Sequence, residues 1–318
     1  MEKARRVIHV VAGVLTDRDG RVLIAQRPAG KHLAGRWEFP GGKSMADETA
    51  LEALHRELIE ELGVQTRYAR PLIRYRHAYD NFSVDLDVWR VESWSGTPKS
   101  LEGQALDWVM PDRLMEHDLL PADRPVVLAF LLPDRYLITG IIESDQGFRS
   151  RLRLAVQRGH KLVQLRVPGE ARSELERLAG IAAGVCANSD CALLINGEPG
   201  VAGEIALKVG AAGIHVPSPY LPAIRHRPVS DTALMGVSVH NAAELADAVR
   251  IKADFAVLGP VLPTLSHVGA PTLGWDGFER LVSVQPLPVY ALGGVSPAHL
   301  ESAWRAGGQG VAGISAFW

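Results

Sequence analysis

The segment GGKSMADETALEALHRELIEELGV, running from Gly41 to Val64, sets four carboxylates beside a glycine turn at fixed spacing. Thr49 with Glu52 three residues later forms a capping box, and Gly63 is a natural C-terminal stop. The spacing therefore predicts one helix over Ala50–Leu62. At about 100° per residue, Leu51, Leu54, Leu58 and Leu62 share a stripe that can bury, and Glu57, Glu60 and Glu61 share the neighbouring stripe. Acids at i, i+3 and i+4 repel by roughly a few tenths of a kcal/mol per pair. Arg56, one turn before Glu60, relieves that repulsion only in part. A hard divalent cation relieves it further, and carboxylate oxygens with water and substrate phosphate suit Mg²⁺ or Mn²⁺. A solvated acidic helix face is the plain alternative.

At 318 residues the chain is long for one domain and comfortable for two. A hydrophobic fraction of 47% against 22% charge describes a folded protein with sizeable cores. A net charge of −2 argues against a grip on nucleic acid. Cys186 and Cys191 are the only cysteines, with no CxxC spacing, so neither a disulfide framework nor a zinc site is expected. Near the start, Lys3 and two arginines precede VIHVVAGVL, which contains His9 and lacks a small-residue cleavage pattern. It reads as a first strand rather than a secretory leader. No apolar run reaches the roughly 18 residues of a membrane span, so a cytoplasmic location without membrane contact is expected.

The punctuation Leu132-Pro133-Asp134 marks the expected joint, giving domains at 1–132 and 133–318. Before it, strands are expected at Arg21–Gln26, Leu72–His77, Ser83–Ser93 and Asp107–Val109, with a closing helix over Arg124–Leu132. Beyond it, RYLITG, KLVQLRV, CALLING, GIHVPS, ALMGVSVH, FAVLGPVL, LPVYALGG and GVAGISA are eight short apolar runs, mostly alternating with helical stretches such as Arg149–Arg158 and Ala242–Arg250. Eight such units imply a parallel (β/α)₈ TIM barrel, with a doubly wound open sheet as the alternative.

Counted from Gly42, the order glycine, five residues, Glu48, seven residues, Arg56-Glu57-Leu58, then Glu60-Glu61 and Gly63-Val64 is the signature of the Nudix hydrolases. GRWEFPGGK before it, and VESWSGTP, LEGQALDWV and LPADRPVV after it, resemble the MutT-like members of 8-oxo-dGTP diphosphatase type across residues 5–131. The resemblance implies a Nudix α/β/α fold and hydrolysis of an oxidised purine nucleoside triphosphate to a monophosphate and pyrophosphate. It implies that the Gly41 carbonyl, Glu57, Glu60, Glu61 and Glu102 hold the metal, and that Arg27 touches phosphate. Glu57 is the expected general base, with Glu102 a second candidate. Arg56 is expected to brace the loop through Glu48. Phe39 is expected to line a purine pocket. Where the family commonly carries an Asn that reads the purine edge, this chain has Asp123, which serves as base reader, as N-cap of the following helix, or both.

The second domain resembles the thiamine-phosphate synthase and thiazole tautomerase group over about residues 134–318, through VQLR, LLIN, AAGIHV, GVSVH, GPVLPT, ALGG and GVAGISA. The resemblance implies a ligand site of Gln164, Arg166, Asn196, Ser238, His240, Thr264, the Gly293-Gly294 phosphate turn and Ser315. Synthases carry two metal-binding aspartates where this chain has Gly197 and Pro219-Tyr220-Leu221, and two lysines where it has Pro168 and His267. Diphosphate chemistry without metal or cations is not expected, so the barrel is read as binding a thiamine-pathway phosphate, as a tautomerase using His240, or as inert. After GISA only Phe317 and Trp318 follow. The groove of an eighth outer helix then needs a cover, from the Arg124–Leu132 helix or from a partner subunit such as a homodimer's. A hydrolase acting on thiamine-related diphosphates, and a barrel that senses a thiazole phosphate, are the rival functions.

Overall fold

Alternating apolar residues build the first half of the chain from strands β1 (Arg6–Leu15), β2 (Val22–Gln26), β3 (Trp37–Glu38) and β4 (Gly41–Lys43). Helix α1 (Ala50–Leu62), strands β5 (Gln65–Ala78), β6 (Phe82–Ser95) and β7 (Leu106–Val109), and helix α2 (Arg124–Leu131) follow. The computed structural model describes residues 6–318 apart from 188, 265–268 and 270, so Lys3 and His267 lie outside the described residues. The chain divides into two compact units, Met1–Leu132 with Ser283–Pro286, and Pro133–Val282 with Leu287–Trp318.

In the first unit one sheet runs β4-β1-β6-β5 and a second runs β3-β2-β7. α1 begins at the expected capping box, with both Thr49–Glu52 hydrogen bonds formed, and ends at Gly63 in the left-handed conformation. Its buried face is Ala53, Leu54, Leu58 and Leu62, while Leu51 is only half-buried. Burying each leucine contributes about 1.5–3 kcal/mol. This face packs on Val11, Leu15, Leu23 and Val91. A separate core joins Val126, Val127 and Phe130 of α2 to Leu72, Tyr75 and Val88, so a helix and its core lie on each side of the strands in an α/β/α arrangement.

The second unit alternates β8 (Arg135–Ile138), α3 (Asp145–Gln157), β9 (Leu162–Leu165), α4 (Arg172–Cys186), β10 (Ala192–Asn196), α5 (Pro199–Val209), β11 (Gly213–Val216) and β12 (Leu234–Val239). It continues through α6 (Ala242–Arg250), β13 (Phe255–Leu258), α7 (Gly274–Val282), β14 (Val289–Ala291), α8 (Leu300–Arg305) and β15 (Gly310–Gly313). All eight strands pair in parallel and close, β15 onto β8. The open-sheet alternative is thereby excluded. Phe317 is buried in the barrel core, and Trp318 packs on Phe148 and on Gly140, where a Cβ would meet the indole at 2.5 Å. Cys186 and Cys191 are free, buried thiols. No helix among the described residues is long and apolar enough to cross a membrane.

Candidate active site

β4 joins the acidic helix to the sheet, pairing antiparallel with β1 so that Gly41 faces Ala12 and Gly42 faces Val11. Gly41 has φ +152°, and a Cβ there would lie 2.1 Å from the Val11 carbonyl oxygen. Only glycine lets the strand come this close. A pocket of about 650 Å³ opens beside it. Glu38, Glu57, Glu61 and Glu102 line it, together with Phe39, Tyr79, Phe82 and Asp123.

Glu61 accepts a hydrogen bond from the Gly41 amide at 3.1 Å. Burial lifts its carboxyl to about 7, and the charges of Glu102, Glu38 and Glu57 push the same way against that hydrogen bond. Glu57 accepts from the Arg56 guanidinium at 2.7 Å. Arg56 also donates to Glu48 at 2.6 Å and to the Lys43 carbonyl at 3.0 Å, which is the expected brace between loop and helix. Glu60 does not line the pocket: it is exposed at the outer rim, where it accepts from Arg56 at 3.2 Å. The 100° step from Glu60 to Glu61 is what separates a solvent-facing acid from a pocket-facing one.

Glu102 sits on the loop between β6 and β7, tied down by a residue that sequence reasoning passed over. Buried Gln104 donates to the Glu61 carbonyl at 3.1 Å and accepts from the Glu102 amide at 3.0 Å. The Leu101 amide also donates to the Glu61 carbonyl. The side chain of Glu102 is paired with Lys31 at 3.3 Å. Arg27 lines the pocket, with its guanidinium paired to Glu38 and donating to the His32 carbonyl at 2.7 Å.

Asp123 lies at the buried part of the wall, 4% exposed. It occupies the N-cap position of α2 but makes no side-chain cap bond, because its Oδ2 accepts from the Phe39 amide at 3.3 Å instead. The N-cap role expected from the sequence is therefore corrected. Burial drives its carboxyl up to about 8, helped by the charge of Glu38, and a protonated carboxyl is able to donate as well as accept. Phe39 is at once core and pocket wall.

The donors facing the glycine strand are all carboxylate oxygens, the set a hard divalent cation takes. Their mutual repulsion, felt at Glu61, fits a cationic occupant. Among the described residues no three such side chains are gathered at metal-holding distance, and Glu57, Glu61 and Glu102 each accept from a protein donor.

In the barrel, a chain of polar groups crosses the lumen. Asn196 donates to Gln164 at 3.1 Å, Gln164 donates to the Tyr136 hydroxyl at 3.1 Å, Tyr136 meets His215 Nδ1 at 3.1 Å, and His215 Nε2 meets Ser238 at 2.9 Å. Burial holds the His215 imidazole neutral by lowering it to about 3, with the Arg166 charge adding. With the Tyr136 oxygen accepting from Gln164, its own proton is available to Nδ1, the tautomer in which Nε2–H points to Ser238. Tyr136 and His215 were not singled out from sequence, although both lie within apolar strand runs that hid them. His240 follows β12 and its Nδ1 donates to the Gly259 carbonyl at 2.7 Å. Gly293 and Gly294 follow β14 at φ +90° and +66° and press against Pro260 and Pro263. Arg166 and Ser315 follow β9 and β15 and are exposed, and Thr264 is half-buried beyond β13.

A helix that turns carboxylates onto a glycine strand is the working part of a Nudix hydrolase, and the first unit is one, carried on the same chain as a TIM barrel. The chain belongs to the thiamine monophosphate synthase family, whose model matches residues 135–317, and to the NUDIX domain family, matched over residues 11–129. It is 40% identical over 126 residues to the CTP pyrophosphohydrolase of Escherichia coli (strain K12), covering 40% of this chain and 93% of that protein. It is 32% identical over 120 residues to the 8-oxo-dGTP diphosphatase of the same organism, covering 38% and 93%. The barrel is 34% identical over 164 residues to the thiamine-phosphate synthase of Laribacter hongkongensis (strain HLHK9), covering 51% and 75%. Nudix hydrolases generally use a divalent metal ion.

Proposed function

We propose that the first unit is a Mg²⁺- or Mn²⁺-dependent pyrophosphohydrolase of nucleoside triphosphates, acting on oxidised purines of the 8-oxo-dGTP type. The observation that carries this reading is one pocket lined both by the carboxylates of Glu57, Glu61 and Glu102 and by Phe39 and Asp123, whose carboxyl burial lifts to about 8. Glu57, Glu61 and Glu102 would hold the ion with the Gly41 carbonyl, and Glu60 would reach it only from the rim. When bound, the ion neutralises the triphosphate and acidifies a water. Glu57 takes the proton of the attacking water, Arg27 steadies phosphate oxygens, and Phe39 and Asp123 hold the base. The similarity to a CTP pyrophosphohydrolase favours a second reading, in which the base is a pyrimidine. Comparing kcat/KM for 8-oxo-dGTP, dGTP, CTP and thiamine diphosphate tests both. A preference for 8-oxo-dGTP is expected, and turnover of thiamine diphosphate alone would overturn the nucleotide reading.

For the barrel we propose binding of a small phosphate of the thiamine pathway without synthase chemistry. Gly197 and Tyr220 stand where synthases hold their metal, whereas the polar chain from Asn196 to Ser238 is complete. Backbone N–H groups at Gly293-Gly294 supply phosphate affinity without lysines. Isothermal titration with a thiazole phosphate should give weak binding. Joining of a pyrimidine diphosphate to a thiazole phosphate by the purified protein would overturn this reading.

A further inference from the structure

Lys31 sits at the tip of the loop between β2 and β3. That loop is closed at its base by Arg27 N–H to the Arg36 carbonyl and Gly35 N–H to the Arg27 carbonyl, and at its tip by the Lys31 and Ala34 amides. Leu33, with φ +57°, completes the tight turn. The loop contributes Arg27, Lys31 and His32 to the wall of the pocket. The Lys31 ammonium faces two acids. One is Glu102, at 3.3 Å, which makes the only ion pair of Lys31 among the described residues. The other is Glu38, whose carboxyl burial raises while the charges of Arg27 and, less strongly, Lys31 pull it down. Glu102 comes from the loop between β6 and β7, which is anchored to α1 through Gln104.

These contacts place one lysine and one prospective metal ligand in competition. Both side chains are about half exposed, so the pair is weak and exchanges easily. A cation of charge two attracts Glu102 more strongly than an exposed ammonium does. Once Glu102 turns to the ion, Lys31 loses its ion pair and stays in the pocket wall, with Glu38 the remaining acid near it.

Resting on the metal reading above, we propose that Lys31 is an exchange residue: it holds Glu102 until the metal binds, and then binds the phosphates of the incoming nucleotide. Loading the metal thereby creates the cationic contact for the substrate. Metal and nucleotide affinities are then coupled through one side chain.

The test uses the full-length protein with Mn²⁺ alone, read by electron paramagnetic resonance, and with α,β-imido-dGTP and α,β-imido-CTP in the presence of Mn²⁺, read by calorimetry. Lys31→Gln is expected to tighten Mn²⁺ about two- to fivefold, the scale of losing an exposed ion pair. In a Glu102→Gln background that gain should vanish, because the competition is gone. In the presence of Mn²⁺ the same variant should bind the imido nucleotides about tenfold more weakly, the scale of a charge-assisted hydrogen bond, and Lys31→Arg should recover most of the loss. A Mn²⁺ gain that persists in the Glu102→Gln background, or nucleotide affinity unchanged in Lys31→Gln, would overturn the exchange while leaving the metal site intact. If Glu57→Gln and Glu102→Gln both leave Mn²⁺ binding unchanged, the metal reading itself falls, and the exchange with it.

Discussion

The carboxylate of Glu57 rests on the backbone of Gly42, so close that a Cβ on Gly42 would lie 2.3 Å from Oε2. The obstruction is the far end of a flexible side chain rather than backbone, and φ at Gly42 is not in the left-handed region. Gly42→Ala should therefore fold with little loss of stability while displacing Glu57 from the pocket. We expect turnover to drop at least about tenfold, the effect of misplacing a catalytic group by about 1 Å, with the thermal midpoint almost unchanged. Full activity in this variant would mean that Glu57 does not act from this position.

Glu57→Gln keeps the shape and removes the charge. Turnover should fall by about two or more orders of magnitude, the scale of losing a base or a metal-stabilising charge. The helix should persist, because Glu57 lies outside the buried face of Ala53, Leu54, Leu58 and Leu62. Circular dichroism with steady-state kinetics checks both halves, and near-normal turnover would remove Glu57 from the mechanism.

Folding lifts the Asp123 carboxyl from 3.8 to about 8, chiefly by burial. The native state therefore keeps a proton that the unfolded chain releases above pH 3.8. This contribution to stability is full below that pH and is lost as pH rises towards 8. Asp123→Asn is neutral throughout, so urea midpoints measured from pH 4 to 8 should fall less steeply than in the parent. The variant should also change the ratio of kcat/KM for 8-oxo-dGTP over dGTP by more than about tenfold, because mispairing a buried polar edge costs one to a few kcal/mol. An unchanged ratio would take Asp123 out of the base pocket.

Tyr136→Phe deletes the hydroxyl between Gln164 and His215 in the barrel lumen. Both partners stay buried with one hydrogen bond fewer, and the loss should be about 1–3 kcal/mol. Chemical denaturation reads it directly. Unaltered stability would show that the polar chain is a by-product of packing rather than a support of the barrel.

The acidic helix and the eight barrel strands were legible because their signals are local. The capping box, the leucine stripe and Gly63 all lie within 15 residues, and each barrel strand announces itself as one short apolar run between turns. Side-chain geometry within that helix was less legible. A stripe of Glu57, Glu60 and Glu61 is one surface on a helical wheel, and only packing against β4 decides that Glu57 and Glu61 enter the pocket while Glu60 meets water. The N-cap at Asp123 was the sensible local reading, and it failed because a partner 84 residues away, the Phe39 amide, offers a buried donor. Gln104, Tyr136 and His215 carry no local mark: a polar residue inside an apolar run becomes legible only when the closed barrel, or the docked loop, supplies its hydrogen-bond partner. Sequence alone determined which elements form and which chemistry the acids favour. Tertiary structure decided which side chains share a cavity, because burial and hydrogen bonding are settled between segments far apart in the chain.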